Sequence, residues 1–122
     1  SDTNDLDYLR RVAETGCYIG MDRLGDCEGK HPFNSLEHCV GNIIALCDMG
    51  YQNRLLLSHD MTTYSGFEYS WKETLTPDYQ KTLADYTYVS RKILPALRQA
   101  GFTEADVEQL MVKNPANFFT GC

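Results

Sequence analysis

The chain has few positive charges and no long apolar run, and both absences exclude classes of protein. Its 122 residues carry 11 lysines and arginines against 17 aspartates and glutamates, for a formal net charge of −6. Nucleic-acid binding needs a basic face that neutralises phosphates, and no basic patch occurs here. No apolar stretch reaches transmembrane length, and no signal-peptide pattern is present. We therefore expect no nucleic-acid partner and no membrane partner.

The cysteine pattern is not that of a disulfide framework or a thiolate metal site. The five cysteines are odd in number and none forms a CxxC pair. Cys39 and Cys47 lie within one helical pattern, where small apolar side chains fill core space. We expect a reduced, cytoplasmic chain in which these two cysteines are packing residues.

Two short apolar runs end in acidic residues, and this shared shape predicts β-strands. Leu55-Leu56-Leu57 runs into Ser58-His59-Asp60, and 17–21 runs into Asp22-Arg23. Such runs suit strands buried on both faces, as in a parallel sheet of βαβ units. Enzymes of this class place their chemistry at the carboxyl ends of strands, so Asp60 is a candidate metal ligand or general base. The alternative is that Asp60 caps the next helix.

Apolar residues at helical spacing predict helices around these strands. The predicted helices span 4–15 with Gly16 as C-cap, 35–49 with Ser35 as N-cap, about 84–100, and 103–112, followed by a final helical turn at 114–119. Pro95 should bend or break its helix, because proline lacks the backbone donor. The last turn is expected to tuck Phe118 and Phe119 under the fold.

Residues 61–83 show no clear period and contain five aromatic side chains. A connection of this length inside a compact domain is usually functional. One interpretation makes Tyr64, Phe67 and Trp71 the wall of a substrate pocket. The other is that these aromatics only pack the loop together.

Four motifs follow one another along the chain: Asp2 to Tyr8, Tyr18 to Arg23, Leu55 to Asp60, and Asn114 to Phe119. Together they resemble the C-terminal part of the phosphotriesterase family of the amidohydrolase superfamily, most of all its phosphotriesterase-like lactonases. The resemblance implies an α/β fold in which residues 1–122 form the C-terminal portion of a single hydrolase domain. That portion would contain strands 7 and 8, with flanking helices, of a (β/α)8 TIM barrel. A complete barrel takes about 250 residues, so its earlier strands would lie upstream of Ser1.

The resemblance also implies the chemistry of a metal-dependent hydrolase. Two divalent metal ions are expected, zinc first, with cobalt, manganese or iron as alternatives. Asp60 would ligate one metal and accept the proton of a metal-bridging hydroxide. The family's other ligands lie on strands that these residues do not include, so the segment alone should be inactive. Expected substrates are lactones, with promiscuous activity on organophosphate triesters, and the full-length enzyme should be a homodimer.

Three further residues have roles implied by the same resemblance. Asp2 either relays the proton outward or caps the first helix. Arg23 stands where lactonase-like members have an arginine, which can bind a carboxylate or the polar head of a substrate. His59 should point away from Asp60 and pack rather than ligate metal. The rival interpretation of the whole chain is a truncated barrel that acts as an interaction or assembly piece.

Overall fold

The described residues form a two-stranded parallel sheet with helices on one of its faces. The computed structural model describes residue 3 and residues 5–27, 35–60 and 86–121. Within them, the helices and strands in chain order are α1 Leu6–Glu14, β1 Ile19–Met21, α2 Leu36–Asp48, β2 Leu55–Leu57, α3 Leu94–Gln99, α4 Glu104–Glu108 and α5 Asn114–Thr120. Short 3₁₀ turns at Leu24–Asp26 and Gln52–Arg54 flank the strands. The predicted α/β class and βαβ unit are confirmed.

The two strands pair in parallel, and their side chains divide into two faces. Ile19 lies opposite Leu55, Gly20 opposite Leu56, and Met21 opposite Leu57. Ile19, Met21 and Leu55 lie in the core that the sheet forms with the helices, and Leu57 packs against this core. Gly20 is exposed. We call the second side the open face; it carries Gly20, Asp22, Leu56 and Ser58. Among the described residues Gly20 is exposed and Leu56 is half-buried, so the predicted burial of both faces is confirmed on the helix side alone.

The helix ends follow local capping rules. Ser35 accepts a hydrogen bond from the His38 backbone N–H at 3.2 Å and begins α2, as predicted. Gly16, at φ +83°, follows the end of α1, also as predicted. Asp5 caps α1 by accepting from the Tyr8 N–H at 2.9 Å. Asp5 is therefore the N-cap of α1, and Asp2, considered for this role, lies outside the described residues.

Both prolines inside the C-terminal helices follow a widened helical turn. Val89–Ile93 is π-helical and leads into α3, where the Leu94 N–H bonds to the Val89 carbonyl. Gln109–Lys113 does the same before α5. A proline ring clashes with the carbonyl four residues earlier, and a wider turn moves that carbonyl away. The predicted local break at Pro95 is confirmed, and the helix is widened in the same way before Pro115.

The two C-terminal phenylalanines do not lie under the fold. Phe118 is 49% exposed and Phe119 is 83% exposed. Phe118 makes an edge-to-face contact with Tyr18, with ring centroids 5.3 Å apart. The prediction of buried aromatics is wrong because this end of α5 lies beyond the core that the described helices build.

The prediction that the cysteines are reduced is wrong for one pair. Cys27 and Cys39 are both 2% exposed and form a disulfide, with Cα atoms 6.8 Å apart. Cys39 therefore does more than fill core space, while Cys47 is a free, half-buried thiol as expected. The spacing of twelve residues gave no signal for this pair, since only the fold brings the turn after β1 against α2. No helix in the described ranges is long and apolar enough to cross a membrane.

Candidate functional site at the carboxyl ends of the strands

The carboxyl end of β2 continues beyond the strand through hydrogen bonds to the turn after β1. The Ser58 N–H donates to the Met21 carbonyl at 3.0 Å. In return, the Leu24 and Gly25 N–H groups donate to the carbonyls of Ser58 and His59 at 3.1 and 3.0 Å. These bonds hold residues 22–25 beside residues 58–59. The two polar strand ends predicted from sequence therefore meet at one edge of the sheet.

Asp60 stands at the end of this paired segment with an unusual backbone. Its φ is +55°, and it is the one non-glycine residue with positive φ among the described residues. This left-handed conformation is uncommon outside glycine, asparagine and aspartate, and such residues often lie at functional sites. The Asp60 side chain is 62% exposed. The strained turn presents this carboxylate to solvent at the rim of the open face.

Arg23 and Asp60 come together across the two strand ends. Arg23 Nε lies 3.7 Å from Asp60 Oδ2, with side-chain exposures of 32% and 62%. An ion pair this open has a high effective dielectric and contributes about 0–1 kcal/mol to stability. The pair places a cation beside the Asp60 carboxylate. Both residues were predicted site residues, and the fold brings them together.

His59 lies between these polar residues but on the other side of the strand. It is half-buried, and its Nε2 atom is buried without a hydrogen-bond partner. Strand alternation places it toward the helix-covered side, in agreement with the predicted packing role. Ser58, on the open face, donates its hydroxyl to the Asp22 carbonyl at 3.3 Å. The hydroxyl thus reinforces the pairing of the two strand ends.

Asp60 suits a divalent metal as a single ligand. Its carboxylate is solvent-accessible, and oxygen donors suit divalent cations. In the part of the chain that the structure describes, no group of three or more His, Cys, Asp or Glu side chains could hold a metal ion. A metal site that included Asp60 would therefore draw its other ligands from residues outside this part.

Several predicted site residues lie outside the described ranges. They are Asp2, the candidate relay or cap, and Tyr64, Phe67 and Trp71, the candidate pocket wall. His31 also lies there. His38 is exposed at the start of α2 and its Nδ1 contacts the Ser35 hydroxyl at 3.0 Å, which fits the predicted surface role.

The residue that sequence reasoning missed lies at the opposite end of β2. Asn114 is fully buried, and its Nδ2 donates to the carbonyls of Leu55 and Gln52 at 2.7 and 2.8 Å. Its Oδ1 accepts from Gln109 Nε2 at 2.6 Å. Asn114 therefore attaches α5 to the amino end of β2. The Asn-Pro pair was the available signal, but it predicted only a helical turn.

Comparisons with known proteins agree on one family. The sequence model of the phosphotriesterase family matches residues 1–119. A phosphotriesterase homology protein of Mycobacterium tuberculosis is 30% identical over 118 residues, which are 97% of this chain and 34% of that protein. Organophosphorus hydrolase from Deinococcus radiodurans superposes with a TM-score of 0.75 at 31% identity, covering 93% of this chain and 34% of the other.

A further solved structure concerns organophosphate hydrolysis activity engineered from a weak promiscuous lactonase template. It has a TM-score of 0.75 and 31% identity, covering 93% of this chain and 35% of that one. The chain spans about a third of the length of the relatives it matches, 34% in the mycobacterial case. Because the family match extends over nearly the whole chain, the chain belongs to the phosphotriesterase family.

Proposed function

We propose that this chain forms strands 7 and 8 of a metal-dependent hydrolase barrel that acts on lactones, with promiscuous activity on organophosphate triesters. The observation that carries the proposal is the meeting of Arg23 and Asp60 at the carboxyl ends of two parallel strands, 3.7 Å apart. This end of a parallel barrel is where catalytic residues gather. The related structures of an organophosphorus hydrolase and a lactonase template support the substrate classes.

In this proposal Asp60 is both a metal ligand and a proton acceptor. When bound, two divalent cations, zinc or else cobalt, manganese or iron, would lower the pKa of a water molecule in the site. The exposed Asp60 carboxylate would serve as a metal ligand and as the acceptor of a proton during ester hydrolysis. Arg23 would hold the carboxylate in place and bind the polar head of the substrate. Asp2 remains a proposed relay that carries the proton outward.

The test is Asp60→Asn in the protein that contains the complete barrel. Asparagine keeps the size and loses the negative charge, so turnover of a lactone should fall by about 10²-fold or more, the low end for a general acid or base. Steady-state kinetics at saturating metal and metal content by mass spectrometry measure the two roles separately. Asp48→Asn removes the same charge from an exposed position at the end of α2 and is the matched control. Turnover by Asp60→Asn within threefold of the control would reject the assignment.

Substrate choice is proposed to depend on the aromatic segment 61–83. If Tyr64, Phe67 and Trp71 form an apolar wall, each methylene of a longer acyl chain gains about 0.8 kcal/mol, or roughly fourfold in kcat/KM, before losses. The double variant Phe67→Ala and Trp71→Ala should then flatten the dependence on acyl length. A series of lactones of rising tail length, measured beside a phosphotriester, checks this. An equal loss of kcat/KM on every substrate would mean that the aromatic side chains only pack the loop together. A higher kcat/KM on the phosphotriester than on every lactone would assign the enzyme to the organophosphate branch.

A second candidate function is that of an assembly piece without catalysis. The open face and the exposed Phe118 and Phe119 favour it, because a sheet face and aromatics of this size are normally covered. The intact mass of the native product distinguishes the candidates. A product of barrel size, which we expect to be a homodimer, supports the hydrolase, whereas a native product of this length supports the assembly piece.

A further inference from the structure

The Cys27–Cys39 disulfide joins α2 to the turn that carries Arg23. Cys27 directly follows the 3₁₀ turn Leu24–Asp26, and Cys39 lies in the first turns of α2. Both cysteines are 2% exposed. The Sγ atom of Cys27 lies 4.0 Å from the carbonyl oxygen of Arg23. Cys27 is thus in contact with the backbone of Arg23 within one short turn.

The same turn is bonded to the end of β2 beside Asp60. The N–H groups of Leu24 and Gly25 donate to the carbonyls of Ser58 and His59. A continuous path thus runs from α2 through the disulfide and the turn to the residue that precedes Asp60. Any displacement of the turn moves both Arg23 and the backbone that positions Asp60.

Apart from the crosslink, backbone hydrogen bonds to the end of β2 and the buried Leu24 side chain hold this turn. No side-chain hydrogen bond caps the turn at Arg23. The Arg23–Asp60 separation of 3.7 Å is longer than a hydrogen bond and the Asp60 side chain is 62% exposed, so this pair contributes little binding of its own. A covalent link that closes a loop restricts the chain far more than such a pair, because it removes alternative conformations of the whole segment.

We propose that the Cys27–Cys39 disulfide is a redox-sensitive clamp that holds the Arg23 turn in register with Asp60. A dithiol reductant breaks the Sγ–Sγ bond: its two thiols are oxidised to a disulfide, and two electrons and two protons pass to Cys27 and Cys39, which become thiols. Reduction frees the turn from α2 and loosens the Arg23–Asp60 geometry. The effect on catalysis rests on the proposed hydrolase function, whereas the existence of the clamp does not.

The first measurement asks whether the bond exists. The protein that contains the complete barrel is purified without reductant, alkylated in denaturant and digested with trypsin. A crosslinked pair of the Cys27 peptide, 24–30, and the Cys39 peptide, 31–54, is expected. Because the second peptide also contains Cys47, the digest is repeated on Cys47→Ser, which should keep the crosslink. Full alkylation of Cys27 and Cys39 in both proteins would overturn the proposal.

The second measurement asks what the bond does. Dithiol treatment should lower the Tm by about 5 °C, and air reoxidation should restore it. Cys47→Ser is the matched control on the same helix: burial and the nearby Asp48 and Asp106 carboxylates raise the pKa of the Cys47 thiol to about 11, so this thiol is a poor nucleophile at neutral pH. Its redox response should equal that of wild type. Cys27→Ser should lose the response, and if that variant does not fold, the reduction and reoxidation of wild type still decide.

The third measurement separates the clamp from the proposed function. Reduction should lower kcat/KM on a lactone about tenfold, mainly through kcat, because misplaced catalytic groups slow the chemical step. A crosslink and a Tm response without hydrolysis in either redox state would retain the clamp and reject the hydrolase. Hydrolysis that reduction leaves unchanged, with the crosslink demonstrably broken, would reject control of the site by the clamp.

Discussion

The two ends of β2 are built in opposite ways. At the amino end, the fully buried Asn114 satisfies its amide with three hydrogen bonds, two of them to the carbonyls of Gln52 and Leu55. At the carboxyl end, His59 Nε2 is buried without a partner, and Asp60 has a left-handed backbone. Satisfied buried polar groups stabilise a fold, while strain and unpaired groups gather where function requires them. In a parallel barrel these are the stability end and the catalytic end.

The largest effect on folding is expected when the 122 residues are produced without the rest of the proposed barrel, which should cover the open face. Among the described residues the sheet has two strands with no further strand at either edge, and its open face carries the exposed Gly20 and Ser58 and the half-buried Leu56. Unpaired edges and apolar surface favour aggregation or a molten state. We expect no sharp thermal transition by near-UV circular dichroism and strong binding of a hydrophobic dye. A soluble monomer that melts cooperatively would contradict the expectation that the open face must be covered for the chain to fold.

The next effect tests the amino end directly. In the full-length protein, Asn114→Leu keeps the volume but leaves the Gln52 and Leu55 carbonyls and the Gln109 amide without their partner. The bond to the Leu55 carbonyl is buried and the other two are part-buried. Because an unsatisfied buried group costs about 1–3 kcal/mol, the free energy of unfolding should fall by about 2 kcal/mol or more. Urea titration followed by circular dichroism measures this loss. A change below about 1 kcal/mol would mean that water replaces these bonds.

The same substitution at the other end should act in the opposite direction. His59→Leu replaces a side chain whose buried Nε2 has no partner, so it removes a desolvation cost of about 1 kcal/mol. The urea midpoint should stay equal or rise, while activity falls if the ring helps to position Asp60. Comparing the urea midpoints of Asn114→Leu and His59→Leu thus tests the two ends of β2 with the same introduced side chain. A large destabilisation by His59→Leu would make the carboxyl end a second structural anchor.

The smallest effect concerns the pH dependence of the amino end. Hydrogen bonds from the Thr103 side chain and then from Gln52 lower the pKa of Asp106 below its ordinary value of 3.8. A lowered folded-state pKa means that this carboxylate stabilises the fold above its ordinary pKa and loses that effect as the pH falls through the folded value. Asp106→Asn should therefore differ from wild type at pH 7 and converge with it in strong acid. Urea midpoints across this range measure the difference; a constant gap at every pH would rule out the carboxylate as its source.

The parts of the site that could be predicted are those that local rules decide. The strands at 19–21 and 55–57, the cap at Ser35 and the position of Asp60 follow from apolar runs and capping residues within a few positions of each other. Strand ends at one edge of a parallel sheet must meet, so the proximity of Arg23 and Asp60 was also predictable. Asp2 and the aromatic residues 64, 67 and 71 stay predictions.

Only the tertiary structure decided the rest, because each of these features joins residues far apart in the chain. Asn114 bonds to Leu55, which lies 59 positions away in the chain, and no local sequence pattern predicts a buried amide with two carbonyl partners. Cys27 meets Cys39 only because the turn after β1 packs against α2. The exposure of Phe118 and the single covered face of the sheet depend on which elements surround them. By itself the sequence determined which segments are strands and helices and where the carboxylate stands; long-range packing decided what holds them there.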